Sequence, residues 1–383
     1  MIIEQFNKDE FIANYWQQKP CIIRAFLPDY KDPISEEHLA GLAEELDIDS
    51  RIVSFDKGQW HVEQGPINNF KKFCKGKWTI LVQGVDKFID NIDYLTDLVR
   101  FIPHWRLDDV MVSYSVEGGG VGPHLDEYDV FILQGKGSRR WQVGLPSSFE
   151  ENIVHPLLKQ IKGFEPVIDE VLRPGDVVYI PPKHPHNGVA LEPCMNYSIG
   201  FRAHTDVELL TGIIDEHAFE NADTRYTDNK TMQQRSGELR PGAITALEMK
   251  KIKDELASLI FSKNAESAIV QYLSRQSLPD YDYELSQEEI EEVDRALASG
   301  ATLLRQSGIK AIYAQEQSGE EFEFFVNGER FSTSIAMSEH IQKVVDCREI
   351  HLRNHFAANI LENDTFSECL KALLLSGYWD YKY

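Results

Sequence analysis

Apolar and polar positions follow different rhythms along this chain, and each rhythm predicts a different kind of element. Helical spacing marks Lys8–Trp16 and Glu36–Glu45 near the start. After Leu107 the period drops to two, over Val110–Ser115, Asp129–Gln134, Trp141–Gly144, Asp176–Ile180 and Asn196–Phe201. Each of these segments is bounded by Gly, Pro or charged residues, which is the texture of a β-sandwich or barrel. Arg173-Pro174-Gly175-Asp176 predicts a turn, with Pro fixing φ and Gly free to take a positive one. From Val207 to about Ser277 the helical period returns, in Leu210, Ile213, Ile214 and His217, then Leu256, Leu259 and Ile260, then Ile269, Tyr272 and Leu273. Arg240-Pro241-Gly242 breaks this region into two halves.

A helical segment this small completes its apolar core either within the chain or against a second copy, so we expect a homodimer formed there. Gln276–Glu284 (QSLPDYDYE) reads as a linker. Ser286-Gln-Glu-Glu289 is a capping box opening a helix. Strands near Lys310–Gln315 and Glu321–Phe331 follow, the second interrupted by Asn327-Gly328, a hairpin signal. Helix, hairpin and further helices suggest a winged-helix-like unit. The expected domains are therefore 1–205, strand-rich; 206–283, a helical dimerisation segment; and 284–383, winged-helix-like, in an α+β chain.

Charge changes how that last unit is read. The chain of 383 residues carries 39 Lys+Arg against 62 Asp+Glu, a net charge of −23. From Glu284 onward there are nine Lys/Arg and eighteen Asp/Glu. Phosphate contacts need a basic surface, so DNA is not the expected partner, whereas a basic protein suits the field. No apolar run reaches the ~20 residues of a membrane span, and Met1-Ile-Ile-Glu-Gln-Phe lacks the basic and apolar regions of a secretory signal. A soluble cytoplasmic protein without a membrane partner is the expectation. The five cysteines are odd in number, far apart and without a CxxC, which suggests neither a disulfide framework nor a thiolate zinc site.

The chemistry concentrates in Gly118-Gly-Gly-Val-Gly-Pro-His124-Leu-Asp126, continuing to Trp141. In an extended strand His124 and Asp126 project to one face. An imidazole beside a carboxylate is two-thirds of a facial triad, which holds Fe(II) and leaves positions open for an organic cosubstrate and dioxygen. The pattern recurs at His204-Thr-Asp206 and His61-Val-Glu63. His204 has only His217 nearby, and the Gln59–Gln64 setting of His61 has neither a paired strand nor a glycine-rich approach. Only His124 is followed, some sixty residues on and directly after a strand, by Pro181-Pro-Lys-His184-Pro-His186-Asn-Gly188. His184 and His186 share parity, so alternation cannot choose between them; Pro185 before and Asn187-Gly188 after favour His186.

A dicarboxylate cosubstrate needs a cation, and arginine grips one bidentately. Arg139 shares parity with Trp141 and Val143, the face expected to be buried; Arg140 points the other way. Ser113 and Ser115 share a face of the preceding strand and are candidates to assist, as is Asn196.

These residues resemble the JmjC branch of the cupin-fold oxygenases that depend on 2-oxoglutarate and Fe(II). The similarity extends to the bacterial ribosomal oxygenases that hydroxylate an arginine of large-subunit ribosomal protein sixteen. It is carried by Tyr15-Trp-Gln-Gln-Lys-Pro20, by GGGVGPHLDEYDVFILQGKGSRRWQVG, by PGDVVYIPPKHPHNG and by MNYSIGFRAH, together with the three-part layout. The resemblance implies a double-stranded β-helix barrel, His124, Asp126 and His186 as iron ligands, and Arg139 on the 2-oxoglutarate carboxylate with Ser113 or Ser115 assisting. It also implies dioxygen as second cosubstrate and a ribosomal protein as substrate. Many JmjC demethylases use a lysine where Arg139 stands here, which favours the ribosomal branch. No motif marks the substrate pocket; Glu117, Glu127 and Asp129 are the nearby carboxylates available to a guanidinium. The alternatives are a histidine hydroxylase, an N-methyl demethylase, which would release formaldehyde, and a metal-binding scaffold, which would form no succinate.

Overall fold

A computed structural model describes residues 1–216, 225–234, 242–278 and 286–383. His217, Arg240-Pro241 and most of the 276–284 linker, all singled out above, lie outside the described residues. The chain clusters into two compact units, one holding Met1–Ala203 and the other holding His204–Gln276 and Ile309–Tyr383.

The first unit contains fourteen described strands: β1 Ile2–Ile3, β2 Cys21–Ile23, β3 Ser50–Asp56, β4 Gln59–Gln64, β5 Lys77–Val82, β6 Leu107–Ser115, β7 Asp129–Gln134, β8 Arg139–Gly144, β9 Glu151–His155, β10 Leu158–Ile161, β11 Pro166–Leu172, β12 Val177–Ile180, β13 His186–Ala190 and β14 Cys194–Phe201. Nine form one sheet in the order β1-β2-β12-β7-β14-β6-β5-β3-β4, and a three-stranded sheet has the order β11-β8-β13. Together they make the double-stranded β-helix. β9 and β10 form a separate hairpin.

Alternation explains why β7 is buried along its whole length. Val130 and Ile132 join Trp141, Val143, Ile168 and Leu172 of the small sheet inside the barrel. Phe131 and Leu133 face the opposite way, into a core with Phe11, Leu39, Val82 and Tyr179. Side chains one residue apart thus serve two cores, as the period of two requires. Gly175 in the predicted turn has φ 90°, and a Cβ there would lie 2.1 Å from the Leu27 carbonyl oxygen.

One expectation fails here. Gln59–Gln64 is a strand, paired with β3 from Asp56↔Gln59 to Arg51↔Gln64. It is the edge of the nine-stranded sheet, half exposed, and its polar residues hide the apolar alternation.

In the second unit, helices span Asp206–Asp215, Asn229–Gln233, Ala246–Ile260 and Lys263–Ser274. Helix Gln287–Ser299 starts at the expected capping box, Ser286 with Glu289. Strands β15 Thr302–Arg305, β16 Ala311–Ile312, β17 Glu321–Val326, β18 Glu329–Ser334, β19 Glu349–His351 and β20 Trp379–Lys382 form two small sheets, β19-β15-β20 and β16-β17-β18. Asn327 (φ 49°) and Gly328 (φ 86°) turn the winged-helix hairpin, both with the positive φ that a type I′ turn demands. Helix Lys263–Ser274 is tied to that turn: Gln271 Nε2 donates to Gly328 O, and Gly328 N donates to Ser274 Oγ, both at 2.8 Å. No described helix is long and apolar enough to cross a membrane. The five cysteines are free thiols.

Candidate metal centre and cosubstrate pocket

The loop Gly118–Pro123 carries the chain into the barrel, where His124 pairs with His186 in an isolated antiparallel bridge. Each backbone N–H of this pair donates to the other's carbonyl at 3.0 Å. Lys183 N donates to Asp126 O at 2.7 Å, which ties the second ligand segment to the first. Three side chains converge as a result. The ligand atoms of His124, Asp126 and His186 lie within 4.8 Å of one another, the one such described group of three or more. Asp126 Oδ2 is 3.4 Å from His186 Nε2 and 3.9 Å from His124 Nε2.

Both imidazoles are oriented from behind. His124 Nδ1 lies 2.9 Å from Gly122 O, and His186 Nδ1 lies 2.9 Å from His184 O. A carbonyl can only accept, so each Nδ1 carries the proton and each Nε2 presents its lone pair to the centre. Burial, aided by neighbouring His186, pulls the His124 pKa down to about 4, which keeps the ring neutral at physiological pH. Burial works against the Asp126 carboxylate, but the contact with His186 and the pull of both neighbouring rings when they are protonated outweigh it, and its pKa falls to about 2. Two imidazoles and one carboxylate on one side of a cavity fit a divalent metal with open positions.

His184 does not join them. It precedes β13, after Lys183 at φ 62°, and its Nδ1 faces Pro182 O at 3.0 Å. His61 stands on the exposed edge strand, and Asp206 begins a helix of the second unit.

The face predicted for Arg139 is the one observed. Arg139 is 5 % exposed, whereas Arg140 lies outside, paired with Asp169. Arg139 Nη2 donates to Ser115 Oγ, which also bonds Thr79 Oγ1 at 2.8 Å. No described carboxylate pairs with Arg139, and its Nε has no hydrogen-bond partner. Burial lowers the guanidinium pKa, consistent with a cation lacking its anion. Ser113 and Asn196 face each other across β6 and β14. Asn196 Nδ2 donates to Gln134 Oε1 at 2.8 Å. Ser113, Asn196 and Arg139 line the same cavity as the triad, of about 330 Å³, whereas fully buried Ser115 reaches it only through Arg139.

The carboxylates named in the sequence for a guanidinium do not line this cavity. Asp129 faces away from the cavity, accepting from Tyr179 Oη at 2.6 Å and Gln17 Nε2 at 2.9 Å. Glu127 is exposed beside Lys183, and Glu117 is exposed. The cavity is instead lined by Asp108, Asp109, Met111 and Tyr128. Asp109 is 6 % exposed, and Gln83 Nε2 donates to its two oxygens at 2.9 and 2.8 Å. Burial, then neighbouring Asp108, raises the Asp109 pKa to about 6.

A barrel with this triad and a buried arginine defines the JmjC class of oxygenases, and a JmjC domain model matches residues 94–209. A ROXA-like winged helix model matches residues 255–380. Over 97% of this chain and 97% of the relative, the sequence is 36% identical to the ribosomal protein uL16 3-hydroxylase of Escherichia coli. A solved structure of Escherichia coli YcfD superposes with TM-score 0.87 at 34% identity, covering 99% of both chains. Another, of the same ribosomal oxygenase in complex with cobalt and 2-oxoglutarate, gives TM-score 0.85 at 33% identity over 100% of this chain and 99% of that one. The chain belongs to the JmjC ribosomal oxygenases.

Proposed function

We propose that this enzyme, a 2-oxoglutarate- and Fe(II)-dependent oxygenase, hydroxylates an arginine side-chain carbon of large-subunit ribosomal protein uL16. Asp109 carries the arginine reading: a buried carboxylate opens onto the metal cavity with an amide, not a cation, as its side-chain hydrogen-bond partner. A guanidinium supplies the missing charge and two parallel donors. Tyr128 and Met111 offer apolar surface for the side chain's methylenes. The similar Escherichia coli protein is named a 3-hydroxylase of uL16, which supports carbon 3 as the site.

In this reading His124, Asp126 and His186 hold the iron. Arg139 grips the distal carboxylate of 2-oxoglutarate, Ser115 orients Arg139, and Ser113 and Asn196 flank the cosubstrate. Bound iron with 2-oxoglutarate and dioxygen supplies the oxidation that inserts one oxygen into a C–H bond, the other oxygen entering succinate as carbon dioxide leaves. The protein's part is orientation. Gly122 O and His184 O fix the ring tautomers, and Trp141, Val130 and Ile132 form a dry wall that limits wasteful turnover.

The same proposal takes residues 1–205 as catalytic, 206–283 as the dimerisation segment and 284–383 as the winged-helix-like domain. Leu210, Ile214, Leu256 and Phe261 are exposed on the helical segment, with Phe261 87% exposed, which supports a second copy as their partner. Mass spectrometry of uL16 incubated with enzyme, iron and 2-oxoglutarate tests the substrate. A mass gain of one oxygen on an arginine is expected, and an oxygen found instead on a histidine of another ribosomal protein would reject the substrate reading.

A further inference from the structure

Behind the glycine loop that delivers His124 stands an element without a role so far, the β9–β10 hairpin. A bulge between Leu158 and Lys159 re-aims the end of β10. Leu158 and Gln160 turn inward, at 8 % and 4 % exposed, while Lys159 between them stays exposed. Leu158 packs with Val53 and Leu81, with Val121 against the same cluster. At position 160 the chain places a buried carboxamide.

That carboxamide has a defined task. Gln160 Nε2 donates to Val121 O at 2.8 Å, and Ile161 N donates to Pro123 O at 2.9 Å. The residue between these anchors is Gly122, whose carbonyl accepts from His124 Nδ1. Gly122 has φ 80°, and a Cβ there would lie 2.1 Å from Gln160 Nε2, so carboxamide and glycine are fitted to each other. On the same hairpin Leu157, Leu158 and Lys159 line the cavity. The wall that meets an incoming substrate is thus bonded to the loop that aims a metal ligand.

We propose that Gln160 is a positioning residue for the metal centre, acting through Val121 and Gly122 on the His124 imidazole. This rests on the assignment of His124 as a ligand. A partner that orients a ligating histidine is worth about ten- to hundredfold in metal affinity, and Gln160 acts one step further out, so the lower end of that range is expected.

Gln160→Met keeps the shape of the side chain and removes its donor. Cobalt(II), titrated into the metal-free full-length protein and followed by its visible absorption, reads both affinity and ligand geometry. Gln160→Met should bind cobalt about tenfold more weakly with altered bands, and Gly122→Ala, which displaces the same amide, should do likewise. Lys162→Ala, an exposed ion-pair change at the end of the same hairpin, should match wild type. Thermal unfolding of the metal-free forms is measured alongside. A lower midpoint with cobalt affinity and spectrum unchanged in Gln160→Met would show a structural role only and overturn the inference. His124→Ala separates the two levels: cobalt binding lost there but intact in Gln160→Met rejects only the role of Gln160. Wild-type cobalt binding by His124→Ala would reject the ligand assignment and the inference together.

Discussion

Removing the Arg139 guanidinium should affect binding of 2-oxoglutarate and stability of the free protein in different ways. Arg139 is buried, unpaired with any described carboxylate, and bonded to a serine hydroxyl that reaches on to Thr79. In the free protein Arg139→Ala loses one hydrogen bond and some packing over Trp141, but it also relieves the desolvation of a lone cation. These effects oppose each other, and the net change in stability should be small. With cosubstrate present nothing compensates, because the dicarboxylate's distal end would sit in a buried site without its cation. Severing one side of a buried, hydrogen-bonded charge pair costs about 2–5 kcal/mol, or roughly thirtyfold to several thousandfold in affinity. The assay is thermal unfolding at increasing 2-oxoglutarate with a non-turnover metal. Wild type should gain about 2.7 kcal/mol when the ligand is at one hundred times its dissociation constant, and Arg139→Ala should gain less than about 0.9 kcal/mol at that concentration. Arg140→Ala removes an exposed, solvent-screened pair with Asp169 and should respond to ligand as wild type does. Equal ligand responses in the two alanine variants would refute the assignment.

His186→Ala should abolish metal binding and turnover while His184→Ala keeps metal binding, as read by cobalt titration; the reverse would exchange their roles. Asp109→Asn should raise KM for a uL16 peptide by at least tenfold while the affinity for 2-oxoglutarate holds, and an unchanged KM would remove Asp109 from the substrate pocket. Burial, followed by the Asp109 charge, raises the Asp86 pKa from the ordinary carboxylate range to about 8, while Val110 N donates to its Oδ1 at 2.7 Å. The folded state therefore holds a proton that the unfolded chain releases, so this group's contribution to stability should be full below pH 4 and lost as pH rises through 8. Asp86→Asn should flatten that dependence in urea titrations across the range, and an unchanged slope would show that another group governs it. Ultracentrifugation at micromolar concentration should show a dimer that Phe261→Asp weakens, and a monomeric wild type would reject the dimerisation role of residues 206–283.

Alternation was most informative where a strand is covered on both sides. Asp129–Gln134 reads directly from the sequence because consecutive apolar residues fill two different cores. The buried face of β8 follows from Arg139, Trp141 and Val143 because Arg140 and Gln142 between them face outward, so the alternation is plain. Parity cannot separate His184 from His186, because that choice depends on where the strand begins, and the left-handed Lys183 sets the boundary. The edge strand Gln59–Gln64 escapes notice because an edge needs little apolar surface. The hairpin of β9 and β10 escapes because its five- and four-residue strands bury only a few side chains. Asp109 was within reach. The face that carries Ser113 and Ser115 continues backward through Met111 to Asp109, but two adjacent aspartates at a strand's start look like solvent-facing charges until the sheet beside them is known.

On the proposed reading, that single face of β6 would bring a cationic substrate residue and an anionic cosubstrate together in one cavity. Residues two apart on a strand lie about 6.7 Å from each other, so Asp109, Met111, Ser113 and Ser115 mark out three such steps. At one end stands a carboxylate whose side-chain hydrogen-bond partner is an amide; at the other, a hydroxyl bonded to a cation that pairs with no described carboxylate. β14 runs antiparallel beside it, with Asn196 opposite Ser113 and Ser198 opposite Met111, and contributes Ser198 and Gly200 toward the substrate end. Charge therefore orders the occupants before the metal does: a guanidinium at the Arg139 end, or a dicarboxylate at the Asp109 end, would meet a like charge in a buried site. Such negative selection needs no extra contact to the substrate backbone. It also predicts that Asp109→Arg would do more than Asp109→Asn. It should turn the substrate end into a second carboxylate site, so 2-oxoglutarate at high concentration would inhibit the variant and leave wild type unaffected. Absence of such inhibition in a folded, metal-binding Asp109→Arg protein would show that geometry, not charge, keeps the two ends apart.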